Sequence, residues 1–369
     1  MNTLLKKCSV IIFLSLFIHS KGQVFTLTDS IPTTISQITY EFLPVQSDNG
    51  FNFLFYSTTK EKQDFELLTI KDTTISRMPI KNKGLAGGGR WYNSAVISNE
   101  KLLLLYSSNQ LLVYEKNKKG NYVFKETLTI KGRDFDKISL IDDETVLLAN
   151  SYNFYTGEKL YDNYALCAYN SRTKKAYQIE MDLGKGILLS HFATTELIES
   201  KKDKIAVAHP TLPFVYIYNS KLQAIDTVYA SFQSTISVNS VINTVFTDSF
   251  IEQNRFNPKT IIETIEKKKK IDQMERIEKV FWLSDDILGY TIRQPFSDAR
   301  MFVFYSISEK KELLKKICEG EPYNFLYSGR ILINNNKTIY YDDIYTEDES
   351  DMYYKFYIYD LLPFGEGTK

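Results

Sequence analysis

The segment Ala206-Val207-Ala208-His209-Pro210-Thr211-Leu212-Pro213-Phe214-Val215-Tyr216-Ile217-Tyr218-Asn219 is two short apolar runs split by a turn that two prolines bracket. Each run has the length and composition of a strand, and the prolines stop a helix from crossing the junction. The pattern recurs along the chain, and no other feature constrains the fold as strongly. Apolar runs that close on an aromatic residue and then a polar turn residue end at Tyr114, Tyr169, Tyr218, Tyr305 and Tyr359. A degenerate first copy ends near Leu68, and the successive spacings are 46, 55, 49, 87 and 54 residues. Only the 87 is out of line.

A second apolar run precedes each of these: Phe51 to Tyr56, Leu102 to Tyr106, Val146 to Ala149, Ile205 to Ala208, Ile287 to Ile292 and Ile331 to Ile333. Before each of the later five lies a weaker strand and a tight turn, at Ser98-Asn99, Asp142-Asp143, Lys202-Asp203, Asp285-Asp286 and Ser328-Gly329. An alternating run such as Lys175 to Met181 follows most of them. The expectation is four strands per unit and six units, which is an all-β, six-bladed β-propeller. The last unit runs out after its third strand, whereas Gln23 to Thr28 is strand-like and belongs to no unit. An unpaired third strand would expose a row of backbone donors and acceptors, so the N-terminal strand is predicted to complete that blade and close the ring.

The long spacing contains an insertion at about residues 231–278, between the fourth and fifth blades. Asn257-Pro258 reads as a helix cap followed by proline at the first helical position. Ile261, Ile262 and Ile265 make a narrow stripe, while Ile271, Met274 and Ile277 fall on another face, which predicts one bent helix or two short ones. The run Lys267 to Lys270 reads as a solvated face.

Residues 1–22 stand apart. Lys6 and Lys7 precede a largely apolar run from Val10 to Ile18, and His19-Ser20-Lys21-Gly22 is a polar exit. Nine residues are too few for a membrane anchor, which needs roughly 20. A secretory signal peptide cut near Gly22 is expected, with residues 23–369 as the exported propeller and no integral membrane segment after cleavage. Cleavage leaves 42 basic against 45 acidic side chains, a net charge of −3. That balance argues against a nucleic-acid partner. The remaining Cys167 and Cys318 sit in or beside apolar runs and are read as buried free thiols; no zinc-type spacing exists.

The segment from His209 to Asn219, the signal peptide, the six units and the Asn257-Pro258 helix before the fifth unit together resemble the secreted TolB-like six-bladed propeller proteins. The resemblance covers nearly all of the chain after residue 22. It implies a propeller outside the cytoplasm and carries no catalytic motif that transfers to residues here.

In a propeller, the loops entering first strands and those leaving second strands share the face where the central channel opens. That face is predicted to hold Arg90, Trp91 and Tyr92 behind three glycines, Arg133, Tyr152, Asn153, His191, His209, Arg293 and Asn335. Trp and Tyr offer stacking surfaces, and His191 with His209 could hold a metal or move a proton. A lone histidine hydrogen-bonded to a neighbouring blade is the plainer reading. Asp142-Asp143 and Asp285-Asp286 look like acid–base pairs, yet Asp in a tight hairpin caps its own backbone, and that reading is preferred. The chain has no Gly-x-Ser-x-Gly elbow and only two Trp. The sequence names no cofactor and no metal. The expected function is a non-catalytic module that binds a protein or glycan through these mouth loops. The alternative is a hydrolase or lyase using His209, His191, Arg90 and Arg293, and a third reading is an envelope protein that assembles through the insertion. Export generates a direct test: intact-mass analysis of the chain recovered outside the cytoplasm is expected to show an N-terminus near Gln23. Recovery of the uncut chain overturns the signal-peptide reading.

Overall fold

Runs of β-branched and aromatic residues, bounded by Asn, Asp, Ser and Gly, become short antiparallel strands in the computed structural model. The structure describes residues 25–36, 40–47, 50–57, 65–71, 74–80, 92–98, 100–106, 109–131, 135, 137–150, 163–182, 197–209, 212–233, 236, 238–245, 247, 249, 266–267, 269–271, 273–295, 299–318, 331–334, 337–345 and 352–361. The signal-peptide segment and the cap at Asn257-Pro258 lie outside them.

The chain opens with β1 (Phe25–Ser36). A four-stranded meander follows: β2 (Tyr40–Ser47), β3 (Phe51–Ser57), β4 (Phe65–Lys71) and β5 (Thr74–Ile80). The next is β6 (Tyr92–Ser98), β7 (Lys101–Tyr106), β8 (Gln110–Lys116) and β9 (Tyr122–Thr129). Then come β10 (Lys137–Leu140), β11 (Thr145–Asn150), β12 (Asn163–Asn170) and β13 (Ala176–Asp182). The His209 segment lies within β14 (Ile198–Lys201), β15 (Lys204–Ala208), β16 (Phe214–Asn219) and β17 (Ala224–Tyr229). After the helix α1 (Val238–Val245) the chain forms β18 (Arg276–Trp282), β19 (Ile287–Arg293), β20 (Arg300–Ser306) and β21 (Lys311–Cys318). It ends in β22 (Ile331–Asn334), β23 (Lys337–Tyr345) and β24 (Met352–Leu361).

Most meanders are separate sheets of four, while β2 and β6 pair in parallel through Val45, Gln46 and Ser47 and so join the first two into one sheet. Each sheet is apolar on both faces and is covered by the next. Ala206, Val215 and Ile217 meet Val280, Leu288 and Tyr290, for example. Phe53, Phe55 and Leu68 of the first meander meet Phe356 and Ile358 of the last, with the Phe53 and Phe356 rings 5.0 Å apart. First strands neighbour one another in succession, as do β22 and β2. This is β-propeller architecture. Second strands such as β7 are buried on both faces and read as unbroken apolar runs, whereas outer strands such as β5 are half-exposed and more polar.

Polar side chains tie the first strands together. Gln46 on β2 accepts from the Leu140 N–H at 2.6 Å and donates to Glu199 at 2.8 Å and to the Ser200 carbonyl at 3.0 Å. It thereby links strands of three different meanders. Ser98 and Ser200 donate to the carbonyls of Asp143 and Leu140 on neighbouring sheets, at 2.7 and 2.8 Å.

The recurring polar residue after the third strand has a physical role. Asn117, Asn170 and Asn219 each accept two backbone N–H groups of the following turn in their side-chain oxygen. The same turns hold Gly120, Lys174 and Leu222 at positive φ. The cap offsets the cost of that backbone conformation.

The last sheet has the order β1-β24-β23-β22, with Phe25 opposite Leu361 and Pro32 opposite Lys355. Proline is tolerated there because β1 is an edge strand. The structure corrects the reading of this unit. Ile331 to Ile333 is its first strand, β22, and the more polar β23 is the second. Asn334 pairs with Lys337, the last pair between β22 and β23.

The insertion also differs from expectation. Ile277 lies in β18, so the insertion stops before Arg276. It holds the helix α1, where Val238, Val241, Ile242 and Val245 form an i, i+3, i+4, i+7 stripe, and residues 266–267 and 269–271 are helical as well. Val238 and Ile242 bury against Ile271, with Met274 packed alongside. The β-branched composition hid this helix from a reading by propensity.

Gly289 on β19 lies opposite Phe281 on β18, and a Cβ there would enter the Phe281 ring. That ring is wedged edge-on against Phe304, with centroids 6.0 Å apart. Gly289→Ala is therefore expected to cost about 1–3 kcal/mol by overpacking, read by thermal unfolding, with partial recovery in the Gly289→Ala/Phe281→Leu pair. An unchanged Tm would show that this contact is not tight.

Candidate functional site

At one end of the β18–β21 sheet, the first strand begins, the second ends and the third begins. The register puts an arginine at each of these places: Arg276 opposite Arg293, and Arg293 opposite Arg300. Residues directly opposite on antiparallel strands share a face, and like charges in such a row repel. Glu278 relieves the repulsion. It sits at a register shift between Ile277 and Lys279, the extra residue of a bulge. One Glu278 oxygen takes Arg276 Nη2 at 3.0 Å and Arg293 Nη1 at 3.4 Å, and the other takes Arg300 Nε at 2.8 Å.

These are charge-assisted bonds in a largely dry setting. The Glu278 and Arg300 side chains are 3% and 6% exposed, and Arg293 is the most open at 24%. Buried Glu275 and Lys279 flank the cluster and add one charge of each sign. Some donors are used locally: Arg276 Nη1 donates to the Ile271 carbonyl at 3.3 Å and Arg300 Nη1 to the Ala299 carbonyl at 3.4 Å. Arg293 Nε and Gln294 Nε2 are buried and, among the described residues, have no acceptor. Both are N–H donors on consecutive residues.

Of the residues expected at the mouth, Arg293 is brought into this cluster. Sequence reasoning missed Arg276, Glu278 and Arg300 because Ile277 was read as part of a helix. The available signal was the Arg-Ile-Glu triplet at a strand start and an arginine at either end of the following hairpin loop, Arg293 and Arg300. Tyr92 opens β6, at the corresponding end of its own sheet. Arg90, Trp91, Arg133, Tyr152, Asn153, His191 and Asn335 lie outside the described residues.

His209 follows β15 at the equivalent end of the preceding sheet and is buried. Its Nδ1 accepts the Leu212 N–H at 3.1 Å, which assigns the ring proton to Nε2. Its own N–H donates to the Phe214 carbonyl at 3.0 Å, and the ring packs on Phe214 at 5.3 Å. Burial pushes its pKa down to about 4. The imidazole is thus the neutral cap of the Pro-bracketed turn.

The carboxylate pairs are turn residues. Asp142 accepts the N–H groups of Glu144 and Thr145 at 2.8 and 2.7 Å. Asp286 accepts from Ser306 Oγ and the Ser308 N–H at 2.7 and 2.8 Å, and the Ser306 hydroxyl holds its pKa below the usual range. Asp285 pairs with Lys202 of the neighbouring sheet. Cys167 and Cys318 are buried free thiols. The described residues contain no group of three metal-ligating side chains, and no helix among them is long and apolar enough to cross a membrane.

No protein-family model matches the sequence, and no curated protein matches it. Solved structures do match in fold. A member of the DUF4221 family from Bacteroides vulgatus superposes with a TM-score of 0.51 at 9% identity, over 91% of this chain and 97% of that one. A candidate exported protein from Bacteroides fragilis gives 0.48 at 11% identity, over 89% and 97%. BamB from Moraxella catarrhalis gives 0.39 at 9%, over 91% and 100%. At these identities the likeness is one of fold.

The histidine cap makes stability depend on pH. Its folded pKa lies below the unfolded value of about 6.5, so the unfolded chain binds the proton first. The contribution is complete above that value and is lost as pH falls toward 4. Chemical denaturation is expected to show a loss approaching about 3 kcal/mol across this window, which His209→Gln removes. Equal pH dependence in both proteins would overturn the assignment.

Proposed function

We propose that this chain is an exported six-bladed β-propeller, TolB-like and closed by its N-terminal strand, that binds a protein or glycan at its channel mouth without transforming it. The observation that carries this reading is the row Arg276, Arg293 and Arg300 held around Glu278. Its donors are fixed on three adjacent strands before any ligand arrives, so little conformational entropy is lost on binding. The pairing of β1 with β24, and the core shared by the first and last meanders, support six blades and the closure. Lys6, Lys7 and the apolar run that follows support export.

The hydrolase or lyase alternative draws on His209, His191, Arg90 and Arg293; of these His209, with its pKa near 4, is a weak base at neutral pH. Assembly through the insertion needs an exposed apolar face; among its described residues Val238 and Ile242 of α1 are buried and Ile236 is exposed.

The test is capture on glycan arrays and from envelope-protein fractions by the immobilised full chain, with product analysis of whatever is retained. Arg293→Ala is expected to weaken retention by roughly tenfold or more, the scale of one charge-assisted bond, with circular dichroism checking that the variant folds. Conversion of a retained ligand into product would overturn the non-catalytic reading. Retention indifferent to Arg293 would move the site elsewhere.

A further inference from the structure

Resting on that reading, we propose that the touching rings of Phe214, Tyr216 and Tyr229 are a stacking platform for an uncharged sugar ring, which makes the ligand a neutral glycan. The first observation is where the rings lie. Phe214 opens β16 opposite Tyr229, the last residue of β17. Both stand at the end of their sheet that corresponds to the arginine row on the next one, where Arg300 opens the third strand. The Phe214 ring centroid is 4.9 Å from that of Tyr216 and 6.2 Å from that of Tyr229, so the three rings form one contiguous surface. Further along the same face Tyr218 lies 6.1 Å from Tyr216 and ends the row by donating to Met181 Sδ at 3.7 Å.

The second is exposure. Val215, Ile217 and Val228 stand on the opposite face and pack with Val280 and Leu288 of the next sheet. On the ring-bearing face the preceding sheet covers Tyr218 and part of Tyr216. Phe214 is half-buried, and Tyr229 is 72% exposed, more than any other large apolar side chain among the described residues. A ring held by its neighbours yet open to solvent adds little to the core, and it loses little freedom when a ligand lands on it.

The third is polarity, and it selects the ligand. His209, whose ring lies 5.3 Å from that of Phe214, is a neutral imidazole. Burial, and then the neighbouring Tyr229 phenol, pushes the Tyr216 pKa up, so its hydroxyl keeps its proton at neutral pH. Thr227, opposite Tyr216, adds a hydroxyl on this face. Asp226 stands on the other face, where Lys310 of the next sheet pairs with it at 3.7 Å. Among the described residues the platform is therefore aromatic surface edged with hydroxyls and without an ionised group. A sugar ring is its complement: one face of C–H groups that stacks on an aromatic ring, and hydroxyls around the rim that bond to other hydroxyls. A charged peptide would find no counter-charge here, and an aliphatic one would desolvate the hydroxyls without pairing them.

The test is calorimetric titration of the full chain with cellohexaose, xylohexaose, mannohexaose, maltohexaose and chitohexaose, with hexagalacturonate as the charged comparison. At least one neutral oligosaccharide is expected to bind saturably and to raise Tm, because a ligand that binds only the folded state stabilises it. Added sodium chloride should leave that binding unchanged, since no ion pair forms. Tyr229→Ala should weaken it roughly three- to tenfold, the scale of one aromatic contact. Tyr229→Phe should keep most of it, because the ring remains. Circular dichroism checks that both fold, and Phe214→Leu gives a second reading from the half-buried ring.

No binding by any neutral member, or binding that both Tyr229→Ala and Phe214→Leu leave unchanged, overturns the proposal. Binding of hexagalacturonate alone, lost with salt, overturns it as well. If the immobilised chain captures an envelope protein while no neutral glycan binds, the sugar assignment fails and the binding module stands. Neutral-glycan binding that needs Tyr229 and is indifferent to Arg293→Ala supports the platform and overturns the part given to the arginine row. Cleavage of a bound oligosaccharide supports the platform and overturns the non-catalytic reading.

Discussion

A four-stranded sheet whose second and third strands are apolar on both faces cannot be stable alone. Leu102 to Leu105 and Leu111 to Val113, for example, expose hydrocarbon on either side unless something covers both. Each fully buried side chain of this kind contributes roughly 1.5–3 kcal/mol, so covering both faces dominates every other choice the chain makes. The covering comes from the next sheet and the previous one, and the first and last meanders pack on each other through Phe53, Phe55, Phe356 and Ile358. The Phe53–Phe356 contact and the pairing of Phe25–Ser36 with Met352–Leu361 follow from that need.

Once the faces are committed to packing, only the ends of the strands are left for chemistry. Small polar side chains occupy most of those ends and serve the backbone. Asn170 and Asn219 cap turns, Asp142 and Asp286 tie hairpins, and His209 closes the turn between Pro210 and Pro213. The Arg276–Arg293–Arg300 row is different. It places like charges side by side and joins all three to one bulged glutamate. Burying charge costs stability, and the apolar core of Val280, Leu288 and Tyr290 offsets it. Polar groups held against the interest of folding are where a ligand is best sought.

Much of this was legible in the sequence for a physical reason. Strand length, aromatic content and Asn or Asp turns are local properties, and local properties survive in a linear reading. The recurrence of an apolar run ending in Tyr and then a polar residue was visible because such residues serve their own turns, as Asn170 and Asn219 do within four residues. The demotion of Asp142-Asp143 and Asp285-Asp286 to turn residues rested on the same short-range logic. Where local signals conflicted, the reading failed. Val238 to Val245 has strand composition but helical spacing, and only its packing on Ile271 decides between them. Ile331 to Ile333 looked like a second strand because its true second strand, Lys337–Tyr345, is unusually polar.

The sequence by itself determined that the chain is built of repeated antiparallel meanders, where the turns fall, that an N-terminal strand was available, and that Cys167 and Cys318 would be buried. Tertiary structure alone decided which ends come together. Arg276, Glu278, Arg293 and Arg300 span 25 residues and two hairpins, and their convergence depends on strand register and on a bulge at Glu278. A shift of one residue would send each side chain to the opposite face. Register is set by the summed packing of all neighbouring strands, which no short stretch of sequence encodes. For that reason the scaffold could be read along the chain, while the cluster appeared only when the strands were laid side by side.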